Sequence, residues 1–225
     1  MLAEVQRIIT TLECDPGFRS RQRLLVMLDY DGTLVPFASR PEQAVPPPRL
    51  LKVLNRLLQQ EEVALAVISG RPLPQLEQLL PLEGLILAGL HGAVIKHPGE
   101  PARLLVPEDE EKLLQSMFEE ISTIFLSSGL PPGFWVENKG ISLAVHFREA
   151  PDHQVEEGRR RVLQALEPYL ERDRLELLVG EKVLELRPTG VNKGQAVKLL
   201  TGRYPHHYPI YVGDDFTDED AFRAL

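Results

Sequence analysis

The chain has 225 residues, 43% of them hydrophobic and 26% charged, with a formal net charge of −8. That length serves one large domain or two small ones, and the composition excludes a wholly disordered, fibrous or membrane-embedded chain. The excess of acid, with five Tyr, one Trp and no basic stripe, argues against a surface that binds nucleic acid. A single cysteine, Cys14, rules out an internal disulfide and a cysteine metal site. Together with an amphipathic N-terminus carrying Glu4 and Glu13, unlike a signal sequence, it leads us to expect a cytoplasmic protein. The longest apolar runs, such as 63–68, have about six residues, so no membrane span or membrane partner is expected.

Leu2, Val5, Ile9 and Leu12 have the spacing of a first helix. Residues 24–28 are an unbroken apolar run, read as a buried strand, that ends in Asp29-Tyr30-Asp31-Gly32-Thr33. A helix follows over 49–60, a second buried strand over 63–68, a helix over 73–80 and a third strand over 84–88. Apolar strands alternating with amphipathic helices predict a parallel sheet covered on both faces, with ligands beyond the carboxyl ends of its strands. The middle of the chain differs. It reads as a helix over 108–125, strands over 134–137 and 141–147 about a Gly140 turn, a helix over 154–170, and strands over 175–179 and 182–186 about Gly180-Glu181. After Pro188 the first pattern returns, with a helix over 193–200, a strand over 210–212 and an acidic loop. The fold class expected is therefore α/β: a Rossmann-like parallel-sheet core from 1–107 and 184–225, interrupted by an αββαββ domain over 108–183.

Four places carry chemistry. Asp29 and Asp31 stand two apart on a glycine-permitted turn after a strand, where one carboxylate can attack phosphorus while the other handles a proton; an Asp-Gly turn alone would account for the same residues. Ser69-Gly70-Arg71 follows the second strand, where a hydroxyl and helix N–H groups could receive phosphate oxygens, although a serine there also serves as a plain N-cap. Lys193 opens a helix behind Asn192, the unfavourable end of the macrodipole for a cation, which suggests a compensating anion. Gly213 to Asp220 holds five acids in eight residues, a repulsion that a hard cation such as Mg2+ would relieve. Acid enrichment at a helix entrance explains Asp218 to Asp220 but explains Asp214 and Asp215 less well.

In order and in strand-end placement, these four segments resemble the haloacid dehalogenase-like phosphatases. The resemblance implies that Asp29 is the nucleophile, Asp31 the general acid/base, Ser69 and Lys193 the phosphate-holding pair, and Asp29, Asp31 (through its carbonyl), Asp214 and Asp215 the surroundings of Mg2+, with Asp218 a weaker member of the same loop. Further segments, Leu90-His91-Gly92-Ala93, Glu137-Asn138-Lys139-Gly140, His146-Phe147-Arg148 and Glu185-Leu186-Arg187-Pro188, resemble the trehalose-6-phosphate phosphatases over nearly the whole chain from Leu24. That family likeness implies a cap formed by the inserted domain, a sugar phosphate as the small-molecule partner, and Glu137, Lys139, Arg148 and Glu185 hydrogen-bonding the sugar, with Arg71 and His91 also near the substrate. From spacing alone, the same cap charges read better as a cross-strand salt-bridge lattice, and the resemblance reverses that preference. Two departures stand out: Val94 occupies a place where many relatives carry an acid, and the chain stops at Leu225 where relatives continue, so it reads as cut short. A monomer is expected. The alternatives are a phosphatase for another ester, such as sucrose-6-phosphate or mannosyl- or glucosyl-3-phosphoglycerate, and a non-catalytic phosphosugar-binding domain.

Overall fold

A computed structural model of the protein describes residues 15–21, 23–38, 40–170, 174–180 and 182–225; the helix expected from Leu2 to Leu12 lies outside them. The elements in order are α1 (Pro16–Arg21), β1 (Leu24–Leu28), α2 (Pro48–Leu58), β2 (Val63–Ile68), α3 (Leu73–Leu79), β3 (Ile86–Gly89), β4 (Val94–Lys96), β5 (Arg103–Leu104) and α4 (Glu108–Ser128). They continue with β6 (Trp135–Asn138), β7 (Leu143–His146), α5 (Asp152–Leu170), β8 (Leu175–Gly180), β9 (Val183–Pro188), α6 (Lys193–Arg203), β10 (Tyr208–Val212) and α7 (Glu219–Arg223). The chain divides into two compact units. One comprises the described residues up to Ala38 with Ala44–Arg103 and Asn192–Leu225, and the other Ser39–Gln43 with Leu104–Val191.

In the first unit the sheet order is β10-β1-β2-β3-β4-β5. β10, β1, β2 and β3 run parallel, and β4 returns antiparallel to β3. Strands covered on both faces need apolar residues on both, which is why β2 and β3 are unbroken apolar runs. Leu25, Met27, Leu65, Val67, Ile68 and Leu76 are all 0–1% exposed, each worth about 1.5–3 kcal/mol of burial. The register sets Leu28 beside both Val212 and Val67. Residues 29, 69 and 213 therefore leave the sheet from three adjacent carboxyl ends.

The second unit is a four-stranded antiparallel sheet, β6-β7-β9-β8, with α4 against β6 and α5 against β8. Its strands alternate: Val136, Val145, Leu184, Leu143 and Leu186 fall on one face, and Glu137, Ala144 and Glu185 in register on the other.

Several bounds differ from the sequence reading, for identifiable reasons. The strand expected over 84–88 runs Ile86–Gly89, because Gly84 sits at a left-handed φ of +87° and ends the preceding turn. The strand expected from 210 begins at Tyr208; its Pro209 is tolerated because β10 lies at the sheet edge. α1, capped by Asp15 accepting from the Phe18 N–H at 3.0 Å, and the short β4 and β5 were not foreseen. The second boundary expected between 183 and 184 falls inside β9. That strand pairs along its whole length, from Gly180↔Val183 to Leu175↔Pro188, so the second unit extends to Val191. The attachment of residues 39–43 to that unit was also not foreseen; there Arg40 grips Glu149 through two hydrogen bonds of 2.6 and 2.9 Å.

Candidate active site

Asp29 follows the last residue of β1, and its N–H donates to the Val212 carbonyl at 2.9 Å, tying it to β10. The turn then closes on itself, with Leu34 and Val35 N–H both donating to the Tyr30 carbonyl and Gly32 N–H to the Val35 carbonyl. Lys193, the first residue of α6, reaches this turn from the far end of the sequence. Its ammonium donates to Asp29 Oδ1 and to Asp218 Oδ1, each at 2.7 Å, and all three side chains are at most 5% exposed. The helix start is provided by Asn192, whose side chain accepts from the Gln195 N–H at 3.1 Å. Burial pushes the Asp29 carboxyl up to about 7, opposed by Lys193 and reinforced by the Asp218 charge. Burial alone would depress Lys193, but the two carboxylates more than offset it and hold the ammonium above its usual range.

Asp218 organises the acidic loop. It is fully buried, and its Oδ1 accepts from Lys193 and from the Tyr211 hydroxyl (2.5 Å), while its Oδ2 accepts from the Asp214 and Asp215 N–H groups at 3.0 Å each. Four donors satisfy a carboxylate's acceptor sites. Asp215 is occupied as well, accepting from the Thr217 N–H (2.7 Å) and hydroxyl (2.6 Å) as the cap of a short 3-10 turn, Phe216–Asp218. Asp214 is exposed, and its Oδ1 accepts from the Thr33 hydroxyl at 2.8 Å.

Carboxylate oxygens of Asp29, Asp214 and Asp218 come within 4.8 Å of one another. Because Asp218 is saturated by its donors, Asp29 and Asp214 are the two that could face a cation. A pair of carboxylates completed by water and substrate oxygens suits Mg2+ chemistry. The space is kept by Gly32: at φ +94°, a Cβ there would fall 2.1 Å from Asp214 Oδ2. Of the acids placed around the metal from sequence, Asp215 holds its carboxylate in the Thr217 cap, and the Asp31 carboxylate lies on Arg71, which leaves the carbonyl as the Asp31 group expected to face the metal. Gly32→Ala is expected to displace Asp214, lowering kcat/KM at least about tenfold, with a left-handed backbone cost of about 1–2 kcal/mol. Wild-type turnover in that variant, assayed beside a urea unfolding curve, would count against the cradle.

At the end of β2, Ser69 is buried, and its hydroxyl oxygen accepts from the Arg71 N–H at 3.2 Å. No described residue takes its hydroxyl hydrogen. Leu90 and His91 both adopt left-handed φ, 51° and 56°, rare for residues with side chains. They hold the Ser69 turn in place, His91 N–H donating to the Ser69 carbonyl and Leu90 N–H to the Arg71 carbonyl, both at 2.9 Å. The His91 imidazole lies over Gly70, where a Cβ would meet Cε1 at 2.6 Å. Arg71 turns to Asp31, with Nε on Oδ2 at 2.7 Å and Nη2 on Oδ1 at 2.6 Å.

In the second unit, Glu137 accepts from the His146 Nε2–H at 2.9 Å, and the Trp135 and His146 rings stack with centroids 4.0 Å apart. Glu185, 5% exposed, accepts from Lys139 Nζ at 3.0 Å and from the Ser142 hydroxyl at 2.8 Å. Burial raises Glu137, but His146 and Lys139 more than offset it and hold it below the usual carboxylate range. Arg148 lies half-buried in the turn after β7. The charged residues of this face are thus paired across strands. Residues to which the motifs assigned no role are Tyr211 and Thr33, which anchor Asp218 and Asp214, and Ser142 and His146; Asp218 itself is more central than its place in the loop suggested. The one signal available was spacing: Asp215 and Asp218 stand at the cap and third positions of a capping box.

A mostly parallel sheet in which the strand ending at Asp29 lies between the Ser69 strand and the acidic-loop strand, with an inserted antiparallel domain, is the architecture of a haloacid dehalogenase-like protein. The trehalose-phosphatase family model matches residues 27–225, and the chain belongs to that family. It is 35% identical over 209 residues to a bifunctional trehalose-6-phosphate synthase/phosphatase of Thermoproteus tenax, covering 92% of this chain and 28% of that protein. It is 34% identical to a probable trehalose-phosphate phosphatase of Sinorhizobium fredii, covering 89% of this chain and 73% of the relative. The C-terminal domain of the C. albicans trehalose-6-phosphate phosphatase superimposes with a TM-score of 0.80 at 28% identity, covering 92% of this chain and 75% of that one. This chain therefore spans little more than a quarter of the Thermoproteus relative's length. Among the described residues, no helix is long and apolar enough to cross a membrane.

Proposed function

We propose that the chain is a Mg2+-dependent phosphatase that hydrolyses trehalose-6-phosphate to trehalose and inorganic phosphate through an aspartyl-phosphate on Asp29. The observation that carries this reading is the buried Lys193 ammonium held on Asp29, with two of its three N–H donors used by Asp29 and Asp218 and a third left for a phosphoryl oxygen. Ser69 brings a second free donor from the neighbouring strand end. Both would receive oxygens of the substrate phosphate as Asp29 closes on phosphorus.

In the first step an Asp29 oxygen forms a bond to phosphorus, the ester P–O bond breaks with its electron pair, and the Asp31 carboxyl proton goes to the leaving alkoxide oxygen. In the second, water attacks phosphorus, gives a proton to Asp31, and the Asp29–phosphorus bond breaks to release phosphate. A carboxylate and a phosphate charge about 4 Å apart repel by roughly 4 kcal/mol at an effective dielectric near 20. Held by Asp29, Asp214 and the Asp31 carbonyl, Mg2+ would offset that repulsion and stabilise charge on the phosphoryl oxygens. Lys193 neutralises Asp29 in the meantime, and Asp218 keeps the loop carrying Asp214 in place.

The inserted domain serves in this reading as a cap. Glu137, Lys139, Arg148 and Glu185 would turn to sugar hydroxyls, each charged hydrogen bond worth roughly 1.5–3 kcal/mol. Phosphate release from trehalose-6-phosphate and sucrose-6-phosphate, with Mg2+ and with excess chelator, tests both parts. We expect at least about a tenfold preference for the trehalose ester, consistent with site-borne hydrogen bonds, and loss of turnover in chelator. A tenfold preference for the other ester would overturn the substrate, and full turnover in chelator would overturn the metal.

A further inference from the structure

Arg71 was expected beside the substrate, but its geometry points inward. Its side chain is 6% exposed, and its guanidinium meets Asp31 fork to fork, Nε to Oδ2 at 2.7 Å and Nη2 to Oδ1 at 2.6 Å. The guanidinium carbon lies 5.0 Å from the centroid of the Tyr30 ring. Tyr30 is fully buried and is itself pinned, its hydroxyl donating to the Ala44 carbonyl at 2.8 Å. The Arg71 backbone is equally fixed: its N–H donates to Ser69 Oγ and its carbonyl accepts from the Leu90 N–H. A planar fork held on an aromatic face, on a turn clamped at both ends, can present a carboxylate in only one orientation.

We propose that Arg71 is a positioning residue for Asp31: it sets the rotamer from which Asp31 passes its proton to the leaving oxygen, and so couples the Ser69 turn at the end of β2 to the acid/base on the β1 turn. The inference rests on the reading of Asp31 given above. It makes Arg71 act on one bond, the ester P–O bond, through Asp31, rather than on the sugar. A phosphate-binding serine and a proton donor built from separate strands are then held in fixed relation by one side chain, since the Arg71 N–H touches the first and its guanidinium the second.

The consequence is a dependence on the leaving group. A primary alkoxide, as in trehalose-6-phosphate, must be protonated as it departs, whereas p-nitrophenolate departs without a proton. Turnover by Arg71→Met should fall on trehalose-6-phosphate at least about tenfold more than on p-nitrophenyl phosphate, since general acid catalysis contributes about 10²–10⁴-fold. The ratio of the two rates is read on one preparation, so a partly unfolded sample does not disturb it. Arg71→Lys, which keeps the charge and loses the fork, should shift the ratio in the same direction by less, and serves if the methionine variant does not fold. Asp31→Asn should show the same selectivity, and adding Arg71→Met to it should change the ratio no further. An equal loss on both esters, or a raised KM for the sugar ester with kcat unchanged, would overturn the positioning role. If Asp31→Asn itself shows no selectivity, the assignment of Asp31 falls and takes the Arg71 inference with it; selectivity in Asp31→Asn but not in the Arg71 variants removes only the latter.

Discussion

Asp29→Asn is expected to abolish turnover, with kcat reduced at least about 10⁴-fold, the scale on which removing a nucleophile acts. Asparagine has nearly the same shape and can still accept from Lys193 through its amide oxygen, so the packing at the strand ends is preserved. What would disappear is the charge that, in the proposed mechanism, attacks phosphorus and helps hold a cation. Burial raises this carboxyl to about 7, with Lys193 pulling the other way, so the native group depends on nearby positive charge to stay ionised at neutral pH. Circular dichroism and a urea unfolding midpoint close to wild type would show that the loss is chemical. Activity above one part in about a hundred would show that the nucleophile lies elsewhere.

The second large effect is on the fold. Asp218→Asn should destabilise the protein by about 3–5 kcal/mol, the cost of breaking a buried charge pair from one side. The wild-type carboxylate accepts from an ammonium, a phenol hydroxyl and two backbone N–H groups, with no exposure to water. An amide would turn its own N–H2 toward one pair of those donors and leave them without an acceptor. Either Lys193 and Tyr211 would lose their shared acceptor, or the backbone at Asp214 and Asp215 would lose its anchor. Catalysis should fall together with stability, because Asp214 is held over Gly32 by the same loop. Urea denaturation of the two proteins measures the first effect directly. A difference below about 1 kcal/mol would mean that the loop is held by other contacts.

These two residues were not equally legible. Asp29 stands after an unbroken apolar strand and before a glycine turn, so its position at a sheet end followed from the sequence alone. Asp218 looked like one acid among five at a helix entrance, and its four donors come from positions 193, 211, 214 and 215. Local pattern reports the donor at 215 through the capping box, but cannot report a lysine from another helix. The Arg71 contact was out of reach of the sequence for a related reason. Family likeness placed it near the substrate, and the anion it meets in this structure is Asp31, forty residues earlier and on the adjacent strand end. The cap charges were open to two readings, and in this structure they pair with one another across strands: Lys139 with Glu185, and Glu137 with His146.

The −8 charge can be placed in the same terms. Residues 211–225 hold five acids against Arg223 alone, and Asp29 and Asp31 add two more at the same end of the sheet. Within that group the structure separates roles that composition merges. Asp218 is paired with Lys193 and saturated by hydrogen bonds, Asp215 is used as a cap, Asp31 is paired with Arg71, and Asp29 and Asp214 are left as the two that could face a cation.

By itself the sequence determined the alternation of elements, the parallel core with its inserted antiparallel domain, and the strand ends at which reactive side chains emerge. Those depend on apolar periodicity and turn residues, which act over a few positions along the chain. Only the tertiary structure decided which carboxylate is saturated, which is free to meet a cation, and which is held by arginine. Those outcomes depend on donors distant in sequence, and in a buried site a single hydrogen-bond partner determines whether an acid is a ligand, a scaffold or a latch.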